Sequence, residues 1–500
     1  MLGTAAGTFE VGQVGHPPKS TQVRDYAAPV DLHITFASGR DLVGQLHRQI
    51  RDAVLDGRLR PGERLPATRD LAARLGISRH TVSVAYDRLA ADGFVQGRAG
   101  AGSFVTEQRS DEYERLPSAT ALQPKLSWNV VANLPGVDAT PRYDFRLGLP
   151  DARLFPFKTW RRLTTEQLRA SAVGRANPGE PTGAPPLRAA IARHVGVSRG
   201  VSAGAEDVII TNGCQQAVDL IARVLLEPGD TVAVEAPGYP APRLLLESHN
   251  LRVVGVRVDA DGIVVDEIPD EARLVYVTPS HQFPLGMAMT TSRRMALLAW
   301  ADEHGAAIIE DDYDSEFRYG AGTHDPLQCL DRTGRVIYVG TFAKTMLPTL
   351  RIGFLIAPRS LHEALRTAKF VTDWHTSLPI QGALAEFIST GTFARHIRVM
   401  RREYRARHQL VLEVLRRDFA GLLAPVDSEV GLHVAAAAPR HTVEEVGAIV
   451  DAAGIQDVGI YTLAGFGFGD HVPAGVAVGY GAIALADIEE GLRRLRAVIS

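Results

Sequence analysis

The sequence predicts a multidomain chain in which a small helical module precedes a large α/β domain with a smaller α+β part at its end. Between residues 41 and 108, three amphipathic helical stretches lead into a glycine-rich hairpin. From about residue 143 onward, short β-branched apolar runs alternate with helical stretches. That alternation is typical of a mostly parallel sheet covered on both faces. A length of 500 residues agrees with two to four domains.

Composition excludes several classes of protein. The apolar content of 45% is ordinary for a chain that buries large cores, and the net charge of -3 favours no class of partner. Two cysteines, Cys214 and Cys329, cannot form a disulfide framework or a four-thiolate zinc site. No run of about 18 apolar residues is present to span a membrane. The N-terminus has no basic start followed by an apolar core, so we expect no export signal and a cytoplasmic location.

The small module is predicted from its helix boundaries. Apolar residues recur at helical spacing from Leu42 to Leu55, and Gly57 ends the pattern. A second helix is predicted from near Thr68, and a third follows Ser78, which is a good N-cap residue. The segment FVQGRAGAGSFV then alternates around a glycine cluster, which predicts a short hairpin.

Domain boundaries follow from shifts in composition. Residues 1–38 lack periodicity and are predicted to be a flexible leader, and residues 39–107 form the small module. Residues 108–142 hold charges, serine and proline, and we interpret them as a linker. The large domain is expected over residues 143–385 and the smaller domain over residues 386–500.

The segment PGERLPATRDLAARLGISRHTVSVAYDRLAADGFVQGRAGAGSFV closely resembles the winged helix-turn-helix of the GntR family of bacterial regulators. A helix that enters the major groove through its N-terminal end needs short polar and basic residues there. The candidates at that end are Ser78, Arg79, His80 and Thr81. Candidates for phosphate or minor-groove contact are Arg69, Arg98, Gly100 and Gly102. Any single arginine could instead be an ordinary solvated charge.

Lysine is scarce in this chain, which makes one loop informative. Only five lysines occur, and Lys344 follows the buried run VIYVG. Ligands bind at that end of strands in an α/β sheet. A desolvated lysine amine can form a Schiff base with an aldehyde. Seven residues later, Arg351 could bind a phosphate, with Thr341 adding a hydroxyl.

Other strand-end loops carry complementary groups. Asp311 follows the buried run AAIIE, and a carboxylate there can hold a heteroaromatic nitrogen protonated. Tyr313 could hydrogen-bond an oxygen on such a ring. The amides of Gly213, Cys214 and Gln215 open a helix and would point at a bound phosphate.

Two further loops offer a ring-stacking face at Tyr239 and a polar contact at His281 or Gln282. Together these loops closely resemble the fold type I aminotransferases that bind pyridoxal 5'-phosphate (PLP), from about residue 143 to the C-terminus. The resemblance implies that Lys344 is the Schiff-base lysine, Asp311 the partner of the pyridine nitrogen and Tyr313 the contact to the ring oxygen. It implies a phosphate cup formed by Gly213, Cys214, Thr341 and Arg351.

A winged helix joined to such a domain resembles the MocR subfamily of GntR regulators. The resemblance implies a head-to-tail homodimer in which each DNA-binding module lies against the partner's aminotransferase-like domain. Three positions depart from the aminotransferase pattern. Ala477 stands near the place of the arginine that binds a substrate carboxylate, Pro178 replaces a tyrosine, and Ala241 stands where relatives that respond to amino acids have arginine. Arg243 could compensate for the missing arginine.

These observations favour a DNA-binding regulator that uses PLP as a ligand and is not an enzyme. Its strongest form resembles the members that sense PLP itself and regulate vitamin B6 synthesis. One alternative is a regulator that senses an amino acid or amine joined to PLP, and another is an active PLP-dependent aminotransferase with an appended DNA-binding module. The expected partners are operator DNA, PLP and a second copy of the chain, with no membrane. The segment ARHIRVMRREYRARH carries six arginines, for which we favour domain packing and solvation over DNA contact.

Overall fold

The structure is a computed structural model, and it describes residues 32, 34–36, 41–98, 100–106, 141–169, 179–320 and 325–499. The chain divides into two compact units, Met1–Gln123 and Pro124–Ser500. Most of the predicted leader over residues 1–38 and most of the predicted linker over residues 108–142 lie outside the described residues, as does Pro178.

The first unit consists of three helices and a two-stranded antiparallel hairpin, which is the predicted winged-helix architecture. Its elements are α1 Leu42–Leu55, α2 Thr68–Leu75, α3 Arg79–Ala91, β1 Val95–Arg98 and β2 Gly102–Val105. Asp41 caps α1 by accepting the N–H of Gly44 at 2.9 Å. Gly76 ends α2 in the left-handed conformation, with φ at +64°, where glycine avoids a steric penalty.

The helices of the first unit enclose one apolar core. Leu46 and Ile50 from α1 pack there with Val82 and Leu89 from α3, and all four are fully buried. Leu32, from the segment predicted to be a leader, is also buried in this core. The end of that segment therefore contributes to the packing of the module.

The second unit contains alternating helices and strands. Its helices are α4 Phe157–Gln167, α5 Pro185–Arg199, α6 Cys214–Leu225, α7 Pro240–Ser248, α8 Thr291–Glu303, α9 Leu327–Leu330, α10 His362–Asp373, α11 Leu378–Ser389, α12 Thr392–Asp418, α13 Val443–Ile455 and α14 Ile488–Val498. Its strands are β3 Tyr143–Asp144, β4 Val208–Thr211, β5 Thr231–Ala236, β6 Arg252–Asp259, β7 Gly262–Ile263, β8 Ala272–Val277, β9 Ala307–Asp312, β10 Val336–Thr341, β11 Gly353–Ile356, β12 Ala424–Pro425, β13 His433–Ala437, β14 Val458–Gly459, β15 Tyr461–Thr462 and β16 Gly475–Gly479.

In the described part of the chain, eight strands form the large sheet in the order β4-β11-β10-β9-β8-β5-β6-β7. The central pairs β10–β9, β9–β8, β8–β5 and β5–β6 are parallel, whereas β11 runs antiparallel to both of its neighbours. Apolar clusters from the flanking helices cover both faces of the sheet. The predicted fold of a mostly parallel, doubly covered sheet is thus confirmed.

The C-terminal part forms a smaller α+β layer. Strands β12, β13, β16 and β15 make an antiparallel sheet, and the 27-residue helix α12 packs on its core. Strand β3, at the start of the unit, pairs in parallel with β14 near its end. The smaller layer therefore draws residues from both ends of the unit. Among the helices that the structure describes, none is long and apolar enough to cross a membrane.

Helix α1 offers a matched pair of leucines for testing the core of the first unit. Leu46 is fully buried, whereas Leu55 on the same helix is 62% exposed. We expect Leu46→Ala to destabilise the unit by about 2–5 kcal/mol because it leaves a cavity. Leu55→Ala should change stability by no more than about 0.5 kcal/mol. Hydrogen exchange of the α1 amides in the full chain measures the stability of the first unit in each variant. Equal protection in the two variants would contradict the assigned core.

Candidate functional site

A cavity in the second unit lies where the central parallel strands end. Eight of the ten residues predicted to bind the cofactor line it, and Gly213 lies at its edge beside Arg351. Its lining residues are Gly148, Cys214, Gln215, Tyr239, Thr278, Phe283, Asp311, Tyr313, Asp314, Thr341, Ala343, Lys344, Arg351, Leu432 and His433. The strand ends thus gather residues that are far apart in the chain.

Lys344 lies in the loop after β10, as its sequence position predicts. Its Nζ donates to the carbonyl oxygen of Gly148 at 2.8 Å. Burial lowers the pKa of the Lys344 amine from its ordinary value, although the carboxylates of Asp314 and Asp311 oppose that shift. A lowered pKa favours the neutral amine, which is the nucleophilic form.

Asp311 lies at the end of β9 and is 2% exposed. One carboxylate oxygen, Oδ2, accepts hydrogen bonds from the Tyr276 hydroxyl at 2.5 Å and from the Cys214 thiol at 3.1 Å. The other oxygen, Oδ1, is buried and has no hydrogen-bond partner among the described residues. Burial raises the pKa of Asp311 to about 6, and the bonds from Tyr276 and Cys214 oppose that rise. A buried carboxylate oxygen without a donor is costly unless a ligand supplies one.

The start of α6 and the loop before β11 form a cradle for an anion. Arg351 has a φ of +49° and its Nη2 donates to the carbonyl oxygen of Asn212 at 3.0 Å. A side chain at Gly213 would place its Cβ 2.9 Å from that Nη2, so only glycine permits the approach. The first amides of α6, at Cys214 and Gln215, point out of the helix N-terminus beside this guanidinium.

The Tyr313 ring lines the cavity, and His281 lies behind it. The Tyr313 hydroxyl donates to the carbonyl oxygen of His281 at 2.9 Å. His281 is 1% exposed, does not line the cavity, and contacts the Asp314 carboxylate through Nδ1 at 3.0 Å. Gln282, the alternative contact, is buried and donates to the carbonyl oxygens of Pro237 and Phe283. His281 and Gln282 therefore support neighbouring loops in this structure.

One side of the cavity is aromatic. Tyr239 is 40% exposed, and its ring meets the Phe283 ring edge to face at 5.3 Å. The Gln215 amide nitrogen donates to the carbonyl oxygen of Ala241 at 3.2 Å, which joins α6 to the first turn of α7, directly after Tyr239. Thr341 ends β10, and its hydroxyl accepts the N–H of Ala343 at 3.1 Å.

The cavity lacks a second arginine among its described lining residues. Ala477 is fully buried in β16, between β13 and β15, and carries only a methyl group. Arg243 pairs with Glu247 at 2.9 Å and lies over the Phe468 ring, and it does not line this cavity. The suggestion that Arg243 compensates for the missing arginine therefore finds no support in the geometry.

Sequence reasoning missed several residues of this site. Tyr276 is the donor to Asp311, Gly148 supplies the carbonyl for Lys344, and His433 and Leu432 close the cavity from the smaller layer. Only Tyr276 could have been noticed in the sequence, as a tyrosine between two valines in the strand RLVYVT. Gly148, Leu432 and His433 could not be identified from the sequence, because their contacts depend on how the smaller layer packs.

The first unit presents a polar face at the start of α3. The Ser78 hydroxyl accepts the N–H of Thr81 at 3.0 Å and so caps the helix. Arg79 and His80 are exposed, as is Arg69 at the start of α2, and Arg79 Nε reaches the Thr68 hydroxyl at 3.5 Å.

The hairpin places its predicted residues at its tip. Arg98 pairs with Gly102 in the strand register and lies over the Phe104 ring at 4.7 Å. Gly100 and Gly102 both have positive φ angles, which glycine tolerates. Of the residues predicted to contact DNA here, the helix start exposes Ser78, Arg79 and His80 and the hairpin tip exposes Gly100 and Gly102, whereas Thr81 and Arg98 are half-buried.

Comparison with known proteins identifies both units. Residues 42–105 match the gntR family of bacterial regulatory proteins, and residues 147–469 match aminotransferase class I and II. Over 457 residues the chain is 38% identical to the probable rhizopine catabolism regulatory protein MocR of Rhizobium meliloti, covering 90% of this chain and 92% of that protein. The chain belongs to the MocR-type regulators of the GntR family.

Other MocR-type regulators and solved aminotransferases extend the likeness. The chain is 32% identical over 398 residues to the pyridoxine biosynthesis transcriptional regulator PdxR of Corynebacterium glutamicum, covering 78% of this chain and 82% of that protein. A solved structure of LysN, an alpha-aminoadipate aminotransferase from Thermus thermophilus complexed with N-(5'-phosphopyridoxyl)-L-leucine, is 28% identical with a TM-score of 0.64. That likeness covers 71% of this chain and 91% of LysN. The predicted family and fold class are confirmed, and the relatives' names agree with a regulator rather than an enzyme.

Two glycines with positive φ angles test the placement of Lys344. A Cβ on Gly148 would lie 2.7 Å from Lys344 Nζ, whereas a Cβ on Gly305 would meet nothing within 4 Å. Both substitutions with alanine carry a similar backbone penalty. We expect only Gly148→Ala to slow the reaction of Lys344 with added PLP, by about tenfold or more. The rate at which the visible absorption of a Schiff base develops measures this, and equal rates in the two variants would contradict the placement.

Proposed function

We propose that this MocR-type regulator binds operator DNA through its first unit and PLP through the cavity of its second unit, with PLP itself as the effector. The observation that carries the proposal is the convergence of Lys344 Nζ, the unpartnered Asp311 Oδ1 and the Arg351 guanidinium on one cavity.

The residues present fit PLP at each of its functional groups. Bound PLP supplies an aldehyde that condenses reversibly with a primary amine, and Lys344 offers a partly desolvated one. Asp311 Oδ1 would accept the N–H of a protonated pyridine ring, which satisfies the buried oxygen. Arg351 and the first amides of α6 would hold the phosphate. Tyr313 and Tyr239 would contact the ring oxygen and the ring face.

The described lining of the cavity has no additional arginine to bind the carboxylate of an amino acid, which supports PLP itself as the effector. Among the described lining residues, Lys344 and Arg351 are the basic side chains apart from His433, and both have roles toward PLP. Burial lowers the pKa of His433 well below its ordinary value, so this ring is neutral and binds a carboxylate weakly. Because the relative PdxR is named for pyridoxine biosynthesis, we propose that the target genes serve vitamin B6 synthesis.

A second candidate effector is an amine or amino acid that acts together with PLP. The relative with 38% identity is named for rhizopine catabolism and not for pyridoxine biosynthesis. If this chain also responds to a catabolised compound, the missing arginine favours an amine without a carboxylate over an α-amino acid. Operator binding titrated with PLP alone, and then with PLP plus a panel of amines and amino acids, separates the two candidates.

The effect of PLP binding on DNA binding would be transmitted through a dimer of the chain. We propose that the chain acts in the cytoplasm as a head-to-tail homodimer whose two DNA-binding modules read paired half-sites. PLP can change their spacing only if it binds one arrangement of the dimer more tightly than the other. Phosphate contacts from the module arginines would make operator binding fall steeply with salt.

Helix α3 offers a matched test of DNA contact. Arg79 is exposed at its N-terminal end, and Arg88 is exposed in its last turn. We expect Arg79→Ala to weaken operator binding by about 1–3 kcal/mol, because the N-terminal end enters the groove. Arg88→Ala should have a much smaller effect, and neither variant should change PLP binding. Fluorescence anisotropy with labelled operator DNA measures this, and equal weakening by both variants would refute the proposed orientation.

A second pair tests the role of the lysine. We expect Lys344→Ala to abolish the effect of PLP on operator binding, because this variant lacks the amine that joins PLP to the chain. Lys158→Ala removes an exposed lysine of α4 and should respond to PLP as the natural chain does. The operator affinity is measured with and without PLP for each variant. A PLP response in Lys344→Ala equal to that of the natural chain would overturn the proposed coupling.

A further inference from the structure

A second cavity lies on the face of the large sheet opposite the PLP cavity. Adjacent residues of a strand point to opposite faces, so Asp311 and Asp312 at the end of β9 lie on opposite faces of the sheet. Asp312 accepts from Arg199 at 2.7 Å, and Arg199 lines this second cavity. The cavity measures about 680 Å³ and lies between α5, the end of α11, the first half of α12 and residues 315–320.

The cavity is lined by an excess of positive charge. Three of its arginines come from α12 at positions 398, 401 and 405, a spacing that places them on one face of the helix. Three more are Arg193 and Arg199 from α5 and Arg318 from the following loop. Glu316 is the one carboxylate among the described lining residues.

Most of these guanidinium groups have no carboxylate to balance them. Within the ranges that the structure describes, Arg193, Arg398, Arg401 and Arg405 form no ion pair. Arg401 donates to the backbone oxygen of Glu316 at 2.7 and 2.9 Å, and Arg405 donates to that of Tyr319 at 3.3 Å. These bonds fix the side chains but leave their charge uncompensated.

The same helix pairs its arginines elsewhere. Arg407 bonds Asp151 at 2.6 Å, Arg416 bonds Asp427 at 2.7 Å and Arg417 bonds Asp418 at 2.8 Å. Like charges gathered on a concave wall repel one another, and the surrounding protein focuses their field into the cavity. A polyanion in the cavity would offset that repulsion.

The floor of the cavity is apolar. Phe393 and Ile397 lie there, only 1% and 6% exposed, beside Ile388 and Ala190. Val197 at the rim is 92% exposed. A ligand that carries both an apolar ring system and several negative charges matches these two surfaces, and the volume lies in the range of small-molecule sites.

We propose that this cavity binds a small organic polyphosphate of the nucleoside polyphosphate class, with the phosphates on the arginines of α5 and α12 and the base on the apolar floor. The site is independent of PLP, because none of its lining residues belongs to the PLP cavity. The arginines of α12 would then bind a ligand in addition to serving solvation and domain packing.

Binding of ATP and of inorganic triphosphate to the full chain, measured by calorimetry, tests the proposal. We expect ATP to bind more tightly than triphosphate because only ATP has a ring system for the apolar floor. The double variant Arg398→Gln/Arg405→Gln and the single variant Arg193→Gln should each weaken ATP binding by about tenfold or more. All three positions are exposed, so the fold should survive, and unfolding temperatures equal to that of the natural chain verify this.

Arg402→Gln is the matched control, since Arg402 is exposed on the same helix and does not line the cavity. It should bind ATP as the natural chain does. The proposal is overturned if the natural chain binds neither probe at millimolar concentration, if Arg402→Gln loses as much affinity as the double variant, or if triphosphate binds as tightly as ATP. It is equally overturned if the double variant binds ATP normally but loses operator affinity, because the arginines would then contact DNA.

Discussion

The parallel pairing of β9 with β10 is the constraint on which the cavity at the strand ends depends. Val339 stands opposite Asp311 and Gly340 opposite Asp312, so both strands end at the same edge of the sheet. That register brings the carboxylate at the end of β9 and the lysine loop after β10 to one cavity. The antiparallel strand β11 then returns beside β10, and the loop before it carries Arg351 to the N-terminus of α6. A shift of one residue would turn Asp311 to the opposite face.

Burial of charge separates the reactive groups from the structural ones. Three consecutive acids end β9 and differ in their partners: both oxygens of Glu310 accept a backbone N–H, and Asp312 accepts from Arg199 and the Tyr338 hydroxyl through Oδ2. Asp311 Oδ1 and Asp312 Oδ1 both lack a donor among the described residues, but of these two acids only Asp311 lines the cavity. The buried lysines show the same contrast, because Lys369 is held by the Asp373 carboxylate at 2.7 Å while Lys344 has a carbonyl oxygen as its partner. Asp311 and Lys344 combine incomplete pairing with a position on the cavity wall, which places them to meet a ligand.

Much of this arrangement could be predicted from the sequence because parallel strands are buried, short and β-branched, and their ends are where ligands bind. Lys344, Asp311 and Arg351 were found in that way. Contacts between layers could not be predicted. The position of His281 behind Tyr313, the bond from Tyr276 to Asp311 and the packing of Leu32 in the first unit depend on tertiary neighbours. In a strand buried on both faces, alternation does not reveal which side chain faces the cavity, so Tyr276 carried no directional signal.

The proposed function depends on one amine, that of Lys344 in the loop after β10, forming the bond to PLP. The most direct measurement is to treat the chain with PLP, reduce the product with borohydride, digest it and locate the modified lysine by mass spectrometry. A single phosphopyridoxyl group on the peptide that contains Lys344 is the result that this account predicts. A group found on Lys158 or Lys369 instead, or no modification at all, would contradict it.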